Sequence, residues 1–285
     1  MHAILASAVL LILCPDRTGL VARVSTLLYE HGANILHADQ HQDSEAGLFF
    51  MRVEWALDDF DLDRFLAAFR PLAAALAMTW RLESSRQPLR VAIFVSSHLH
   101  CLADLLFRRR PGELTCTITS VVSNHPDAGD LAAFHGLPFH HVPTTGGNRE
   151  AVEARQIALL KAERVDLVVM ARYMRILSPA FVDRYPSRII NVHHSFLPAF
   201  VGARPYHQAF ERGVKLIGAT SHYATATLDD GPIIEQDVMR ISHRDRVDDL
   251  VEKGRDLERV VLSRAVKWHT AHRILRYGDK TVVFD

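Results

Sequence analysis

The sequence predicts an α/β protein built from two blocks, a ferredoxin-like N-terminal block and a larger block with an open, mostly parallel, Rossmann-like sheet. Residues 5–83 alternate as strand, helix, strand, strand, helix, strand, which is the split βαβ pattern of ferredoxin-like folds. After residue 88, continuous apolar runs alternate with amphipathic segments. Such runs are typical of parallel strands buried on both faces, so the second block is expected to be an open α/β sheet.

The N-terminal block begins with an apolar run at 5–14 that we expect to form a buried strand. The polar segment after it should begin a helix, with Asp16 or Thr18 accepting a hydrogen bond from the first turn. Gly32 stands where a left-handed residue commonly ends a helix. The remaining elements are expected as paired strands at 34–42 and 48–55, a helix at 60–75 and a strand at 78–82.

The polar segment Ser-Ser-Arg-Gln-Pro at 84–88 separates the two blocks. Polar segments that contain proline are typical of domain boundaries, so we assign residues 1–83 to the first domain, 84–88 to a linker and 89–285 to the second domain. In the second domain the patterns predict strands at 91–95, 116–122, 165–170, 188–192, 217–223 and 233–238. Helices are expected at 99–107, 127–134, 149–162 and along the apolar stripe of 247–261.

Composition and charge disfavour several classes of protein. The 285 residues include 33 Lys plus Arg and 33 Asp plus Glu, so no net field attracts nucleic acid or an anionic membrane. The apolar run at 3–14 lacks a preceding basic segment and is too short to span a bilayer. Cys14, Cys101 and Cys116 form no CxxC pair, and this sparse content fits a reducing compartment. We therefore expect a cytoplasmic protein without nucleic-acid or membrane partners.

The densest polar cluster lies at the end of the expected strand 188–192 and contains Asn191, His193 and His194, with Asp229 further along the chain. Open α/β sheets bind ligands beyond the carboxyl ends of their strands. An amide can donate to a developing oxyanion, an imidazole can transfer a proton near neutral pH, and a carboxylate can orient that imidazole. From the residues alone, a structural histidine is the more frequent alternative. A metal site is disfavoured because adjacent histidines on a strand point to opposite faces.

Five motifs in combination carry a specific resemblance. They are Asn-Val-His-His-Ser-Phe-Leu-Pro at 191–198, Gly-Ala-Arg-Pro-Tyr-His-Gln-Ala-Phe at 202–210, Gly-Ala-Thr-Ser-His-Tyr at 218–223, Leu-Asp-Asp-Gly-Pro-Ile-Ile-Glu-Gln at 228–236 and Ala-Arg-Tyr-Met-Arg-Ile-Leu-Ser-Pro at 171–179. With them, residues 89–285 resemble the formyltetrahydrofolate hydrolase/formyltransferase family. The resemblance implies a Rossmann-like formyltransferase domain whose catalytic trio falls on Asn191, His193 and Asp229.

The same resemblance implies where the substrate binds. The stretch that contacts the pterin in the family matches Met174, Arg175, Ile176 and Leu177, and a second histidine near the pocket matches His222. 10-Formyltetrahydrofolate would then be the substrate, and no cofactor or metal is expected.

The N-terminal block is similar to an ACT domain. The similarity rests on Cys-Pro-Asp-Arg-Thr-Gly-Leu-Val-Ala-Arg-Val at 14–24 and His-Gly-Ala-Asn-Ile-Leu at 31–36. ACT domains often bind amino acids where two copies meet, so a homo-oligomer formed through ACT pairing is expected. The usual effector region matches Asp16, Gly19, Asn34 and Ile35, and a purely structural dimerising module is an equal alternative.

The resemblance leaves the acceptor of the formyl group open between water and a second substrate. The segment after the first strand of the second domain, Val-Ser-Ser-His-Leu-His at 95–100, lacks the glycines with which glycinamide ribonucleotide formyltransferases approach a phosphate. An ACT domain ahead of a formyl-handling domain is the arrangement of the family's hydrolases. We therefore expect hydrolysis of a linear amide C–N bond, giving formate for purine synthesis and balancing the folate pools. A glycinamide ribonucleotide-type formyltransferase and a non-catalytic folate or amino-acid sensor are the alternatives.

Overall fold

The computed structural model describes residues 6–109, 113–144, 148–200 and 204–285. The chain forms two compact units. The first contains the residues up to Pro88 together with His272–Tyr277 and Val282–Asp285, and the second contains Leu89–Ala271 and Gly278–Thr281. Within the described ranges, no helix is long and apolar enough to cross a membrane.

The first unit is a four-stranded antiparallel sheet with two helices, which confirms the ferredoxin-like prediction. Its elements are β1 (Ser7–Pro15), α1 (Leu20–Glu30), β2 (Ile35–Asp43), β3 (Leu48–Ala56), α2 (Leu62–Ala75) and β4 (Thr79–Ser84). The strand order is β2-β3-β1-β4, and all neighbours are antiparallel. The helices cover one face of the sheet through a core that includes Leu10, Trp55, Phe65 and Phe69.

The capping of α1 differs from the prediction. Neither Asp16 nor Thr18 caps the helix, because Gly19 precedes it in a left-handed conformation with φ of 88° and without a side-chain cap. The Asp16 carboxylate instead accepts a hydrogen bond from Gln42 Nε2 at 2.6 Å. Gly32 has a φ of 76°, which confirms the left-handed residue expected after α1.

The second unit contains a seven-stranded sheet that is flanked by helices. Its elements are β5 (Leu89–Val95), α3 (His100–Arg108), β6 (Cys116–Ser123), a 3₁₀ turn (Pro126–Ala128), α4 (Gly129–Phe134), β7 (Phe139–His141), α5 (Arg149–Ala162), β8 (Leu167–Met170), α6 (Pro179–Val182), β9 (Ile189–His193), α7 (Pro205–Arg212), β10 (Leu216–Tyr223), β11 (Ile233–Arg240) and α8 (Val247–Thr270). The short elements β7, α6 and α7 were not predicted from the sequence.

The topology of this sheet fixes the place of a ligand site. The strand order is β11-β10-β9-β8-β5-β6-β7. The five strands from β9 to β7 are parallel, and β10 runs antiparallel to both of its neighbours. The chain leaves β5 toward β7 and returns on the other side of β5 to form β8. This reversal opens a crevice at the carboxyl ends of β5 and β8, where open α/β sheets bind their ligands.

The end of the chain corrects the expected domain limits. A terminal hairpin, β12 (Ile274–Tyr277) and β13 (Lys280–Val283), follows α8. We expected the second domain to continue to residue 285, but residues 272–277 and 282–285 belong to the first unit. The physical reason is burial of apolar surface, because the second face of the first unit's sheet packs on the hairpin in one apolar cluster of Val9, Leu11, Phe50, Leu275 and Phe284.

Candidate active site

A cavity of about 470 Å³ opens beside the carboxyl ends of β8 and β9. It brings together all eight residues for which the sequence predicted a catalytic or substrate-binding role. Its lining includes Asn191, His193, Asp229, Met174, Arg175, Ile176, Leu177 and His222. The remaining lining residues are Met170, Arg172, Tyr173, Val182, Val192, His194, Arg204, Ala224, Thr225, Thr227 and Leu228.

The strands of the sheet set the positions of three polar side chains. Asn191 and His193 are two residues apart on β9, so they point to the same face of the sheet. His222 lies on the neighbouring β10, directly opposite Asn191 in the antiparallel register. Side chains opposite each other in such a pair lie close together, so the sheet itself places His222 beside the amide of Asn191.

Asp229 reaches these residues from the connection between β10 and β11. It has a left-handed backbone with φ of 55°. Its Oδ2 lies 3.2 Å from His193 Nδ1, and its Oδ1 lies 3.7 Å from His222 Nε2. Burial raises the pKa of Asp229, but the imidazoles of His193 and His222 lower it by more, so the pKa lies well below its usual range. The carboxylate is therefore ionised at neutral pH.

The partners of the two imidazoles determine which ring nitrogens carry protons. His222 Nδ1 lies 3.0 Å from the carbonyl oxygen of Tyr223, so Nδ1–H donates there. His222 Nε2 of the neutral ring then accepts a hydrogen bond from Asn191 Nδ2 at 3.1 Å. This bond fixes the Asn191 amide, and its second N–H, which has no partner among the described residues, stays available to a ligand.

His193 is set up as a proton carrier at the cavity. Because its Nδ1 faces the ionised Asp229, the neutral ring carries its proton on Nδ1 and a lone pair on Nε2. Nε2 is buried, and among the described residues it has no hydrogen-bond partner. The combination of a donor amide, an oriented imidazole and a carboxylate suits attack on an acyl carbon followed by protonation of its leaving group.

The segment after β8 supplies the apolar wall of the cavity. The backbone N–H of Met174 donates to Ser96 Oγ at 3.0 Å, and that hydroxyl donates to Asn124 Oδ1 at 2.7 Å. These bonds tie the segment to the end of β5. Ile176 and Leu177 both line the cavity, Ile176 as an exposed side chain and Leu177 as a buried one. This side of the cavity is therefore apolar. A flat ring system fits such a wall.

Sequence reasoning missed a second polar group at the same cavity. Arg172 lines the cavity, and its Nε lies 3.4 Å from Oε2 of the buried Glu258 on α8. Glu258 also accepts hydrogen bonds from His100 Nε2 at 2.7 Å and from the Tyr206 hydroxyl at 2.8 Å. The position of Arg172 directly after an apolar strand could have indicated it, whereas nothing in the sequence pairs it with a residue 86 positions away.

A metal ion has one candidate position among the residues that the structure describes. His100, Cys101 and Glu258 place their ligand atoms within 4.8 Å of one another. The Glu258 oxygens already bind His100, Tyr206 and Arg172, and a guanidinium repels a second cation. The geometry therefore favours the hydrogen-bonded network over an ion.

The predicted effector residues lie in the first unit. Asp16 and Gly19 belong to the connection between β1 and α1, and Asn34 and Ile35 stand at the beginning of β2. All four are exposed. Their role stays a prediction.

Two family models divide the chain as its two units do. The ACT domain model matches residues 8–62, and the formyl transferase model matches residues 89–266. The fold and the site thus define a protein in which an ACT domain is joined to a formyl transferase domain.

Comparison with individual proteins narrows the family. A formyltetrahydrofolate deformylase from Synechocystis sp. is 56% identical to this chain, and the match covers 98% of both proteins. A formyltetrahydrofolate deformylase from Bacillus subtilis is 49% identical, and the match covers 97% of this chain and 93% of that protein. The crystal structure of a formyltetrahydrofolate deformylase from Pseudomonas syringae pv. tomato matches with a TM-score of 0.95 at 48% identity, covering 100% of this chain and 96% of its own. A glycinamide ribonucleotide transformylase from Symbiobacterium toebii matches with a TM-score of 0.66 at 30% identity, covering 70% of this chain and 95% of its own. The chain belongs to the formyltetrahydrofolate deformylase family.

Proposed function

We propose that this protein hydrolyses 10-formyltetrahydrofolate to formate and tetrahydrofolate. The observation that carries the proposal is the buried His193, oriented by Asp229 with its Nε2 left for a ligand, beside the fixed amide of Asn191. The names and full-length similarity of the relatives support the same substrate.

The geometry supports a two-step acyl transfer to water. His193 Nε2 takes a proton from a water molecule as the water oxygen attacks the formyl carbon. The free N–H of Asn191 donates to the formyl oxygen, which becomes the oxyanion of the tetrahedral intermediate. Asp229 stabilises the imidazolium that forms. His193 then returns the proton to N10 of the folate, and the C–N bond breaks as the oxyanion re-forms a carbonyl. The formic acid produced loses its proton to solvent, and formate and tetrahydrofolate leave.

The apolar wall at Met174, Arg175, Ile176 and Leu177 is proposed to hold the pterin ring. Stacking on the exposed side chain of Ile176 would place one end of the folate against β8. The formyl group would then face Asn191 and His193 at the carboxyl end of β9.

Transfer to a phosphate-bearing acceptor is disfavoured by the segment after β5. The hydroxyl of Ser96 is engaged on both sides, because it donates to Asn124 and accepts from the backbone of Met174. No glycine follows β5 at 95–100 to bring backbone N–H groups close to a phosphate. Water is therefore the acceptor that this site favours.

A direct assay separates the two acceptors. Purified protein is incubated with 10-formyltetrahydrofolate in buffer, with and without glycinamide ribonucleotide, and formate is quantified. We expect formate in both mixtures and its loss in His193→Ala. Turnover that requires the ribonucleotide would exclude the hydrolase, and near-normal formate release by His193→Ala would exclude the assigned role of His193.

We further propose that the reaction needs no metal or cofactor and that the formate supplies purine synthesis in the cytoplasm. Enzyme dialysed against a chelator should therefore keep its activity.

The first unit is proposed to pair two copies and to bind an amino acid near Asp16, Gly19, Asn34 and Ile35. Sedimentation would show the oligomer, and assays with a panel of amino acids would show the effector.

A further inference from the structure

Arg172 is held at the edge of the cavity by an unusual backbone. It follows β8 directly and has a left-handed φ of 62°. Its N–H donates to the carbonyl of Met170 at 3.2 Å, and its own carbonyl accepts from the N–H of Ser96 at 3.2 Å. A non-glycine residue adopts this conformation only where the surrounding structure stabilises it, and such positions concentrate at functional sites. The backbone thus directs one particular side chain toward the carboxyl ends of β5 and β8.

Glu258 anchors the guanidinium. Its Nε lies 3.4 Å from Oε2 of Glu258, which is 1% exposed. Burial raises the pKa of Glu258, but His100 and Arg172 lower it by more, so the carboxylate stays ionised. The Arg172 side chain is only 11% exposed, its Nε is directed at Glu258, and its Nη1 is buried without a hydrogen-bond partner among the described residues. Buried N–H groups without an acceptor are costly, so this side chain is built to receive one.

The open donor belongs to a residue that lines the same cavity as the reacting groups. Arg172, His193 and His194 all line this cavity, and the ring centroid of His194 is 5.1 Å from that of His193. Burial and then Arg172 lower the pKa of His194 to about 3, so this imidazole is neutral and does not compete for an anion. The other charged groups at this end are Glu258, which is already paired, Asp229, which faces His193 and His222, and the cations Arg175 and Arg204 on the cavity wall.

We infer that Arg172, anchored by Glu258, forms a carboxylate-binding subsite beside His193 that receives formate as it is released. The identity of this carboxylate rests on the proposed hydrolysis. Formate is a planar anion whose two oxygens match the parallel N–H groups of a guanidinium. A folate also carries carboxylates on its glutamate tail, but Arg172 lines the cavity together with His193 and His194 at its reacting end.

Direct binding of ¹³C-labelled formate tests the subsite without relying on turnover. The full-length protein is titrated with and without tetrahydrofolate, and the formate signal is followed by NMR. Arg172→Lys keeps the charge beside Glu258 but loses the paired donors, so the formate Kd should rise about tenfold. If Arg172→Gln alone fails to fold because it leaves Glu258 unpaired, the double variant Arg172→Gln with Glu258→Gln removes both charges. The formate Kd of the double variant should rise at least as much as that of Arg172→Lys. Arg184→Gln removes an exposed arginine from outside the cavity and should bind formate as the wild type does.

Substrate kinetics distinguish the two sources of carboxylate. We compare KM for 10-formyltetrahydrofolate with KM for 10-formyltetrahydropteroate, which lacks the glutamate, in the wild type and in Arg172→Lys. The inference requires that the variant change both KM values alike while formate product inhibition weakens. A KM increase confined to the glutamate-bearing substrate, or a formate Kd equal to that of the wild type, overturns it. If the wild type binds formate through Arg172 but releases none from 10-formyltetrahydrofolate, the subsite stands and the proposed function fails.

Discussion

His193 Nδ1 faces Asp229 Oδ2 at 3.2 Å, and the two side chains are only 5% and 6% exposed. Since a carboxylate only accepts hydrogen bonds, this relationship fixes both the orientation and the tautomer of the imidazole. It is the contact that turns a histidine at the end of a strand into a directed base, and it joins two segments separated by 36 positions in the sequence.

Replacing Asp229 by Asn should reduce kcat for formate release by about 10²–10⁴-fold. The neutral side chain introduced at this position neither stabilises the imidazolium of His193 nor selects the His193 tautomer whose Nε2 is free. Steady-state formate assays would measure the loss. Asp230→Asn removes the same charge from the adjacent, exposed residue and should leave kcat near the wild-type value. Equal losses in the two variants would show that local charge, and not the contact with His193, matters.

The stability of the protein should depend on Asp229 in a particular pH range. Burial raises its pKa and the two imidazoles lower it by more, so the folded pKa is depressed. A depressed carboxyl pKa stabilises the folded state above the unfolded value of about 3.9, and this contribution is lost as the pH falls through the folded value. The excess unfolding free energy of the wild type over Asp229→Asn should thus be greatest above about pH 5 and shrink toward pH 3.

Urea unfolding of both proteins at several pH values measures this difference. The two curves should approach each other on the acid side, whatever other carboxyl groups contribute to acid unfolding, because those groups are common to both proteins. A difference that stayed constant across the range would contradict the depressed pKa of Asp229.

The terminal hairpin should contribute strongly to the stability of the first unit. Phe284 is 2% exposed and packs with Val9, Leu11, Phe50 and Leu275. Phe284→Ala should lower the free energy of unfolding by about 3–5 kcal/mol, because the substitution removes buried apolar surface and leaves a cavity. Phe134→Ala, at a side chain that is 84% exposed, is the matched control and should change it by less than about 0.5 kcal/mol. A similar small change at Phe284 would show that the hairpin does not hold the sheet.

The sequence predicted the two sheets because their patterns are local. The alternation in residues 5–83 and the apolar runs of β5, β6 and β8 encode each element in its own residues. The short helices α6 and α7 were missed because four and eight residues carry too little periodicity to distinguish them from loops. Residues 272–277 and 282–285 were assigned to the second domain because the residues that they pack against on β1 and β3 lie more than 200 positions away.

The site followed the same rule. Asn191 and His193 could be placed from the residues alone, since they end a strand of an open α/β sheet. Asp229 was a candidate from the residues alone, but only the family resemblance made it the third member of the trio, because a connection after β10 carries no periodic signal. Arg172 and Glu258 were not found, since their pairing depends on how α8 packs on the sheet.

Gly231 should be required to place Asp229. A Cβ at this position would lie 1.7 Å from the carbonyl oxygen of Tyr223, which also accepts the hydrogen bond from His222. Gly231→Ala must therefore shift either the segment that carries Asp229 or the end of β10. A shift of about 1 Å at a catalytic group can cost about 10²-fold in rate, so kcat should fall by about ten- to a hundredfold. Gly136→Ala is the control, because it introduces backbone strain at a φ of 65° with no atom within 4 Å of the new Cβ. Gly136→Ala should lower the melting temperature and leave kcat unchanged. A wild-type kcat in Gly231→Ala would show that the position of Asp229 does not depend on the close approach of Gly231 to Tyr223.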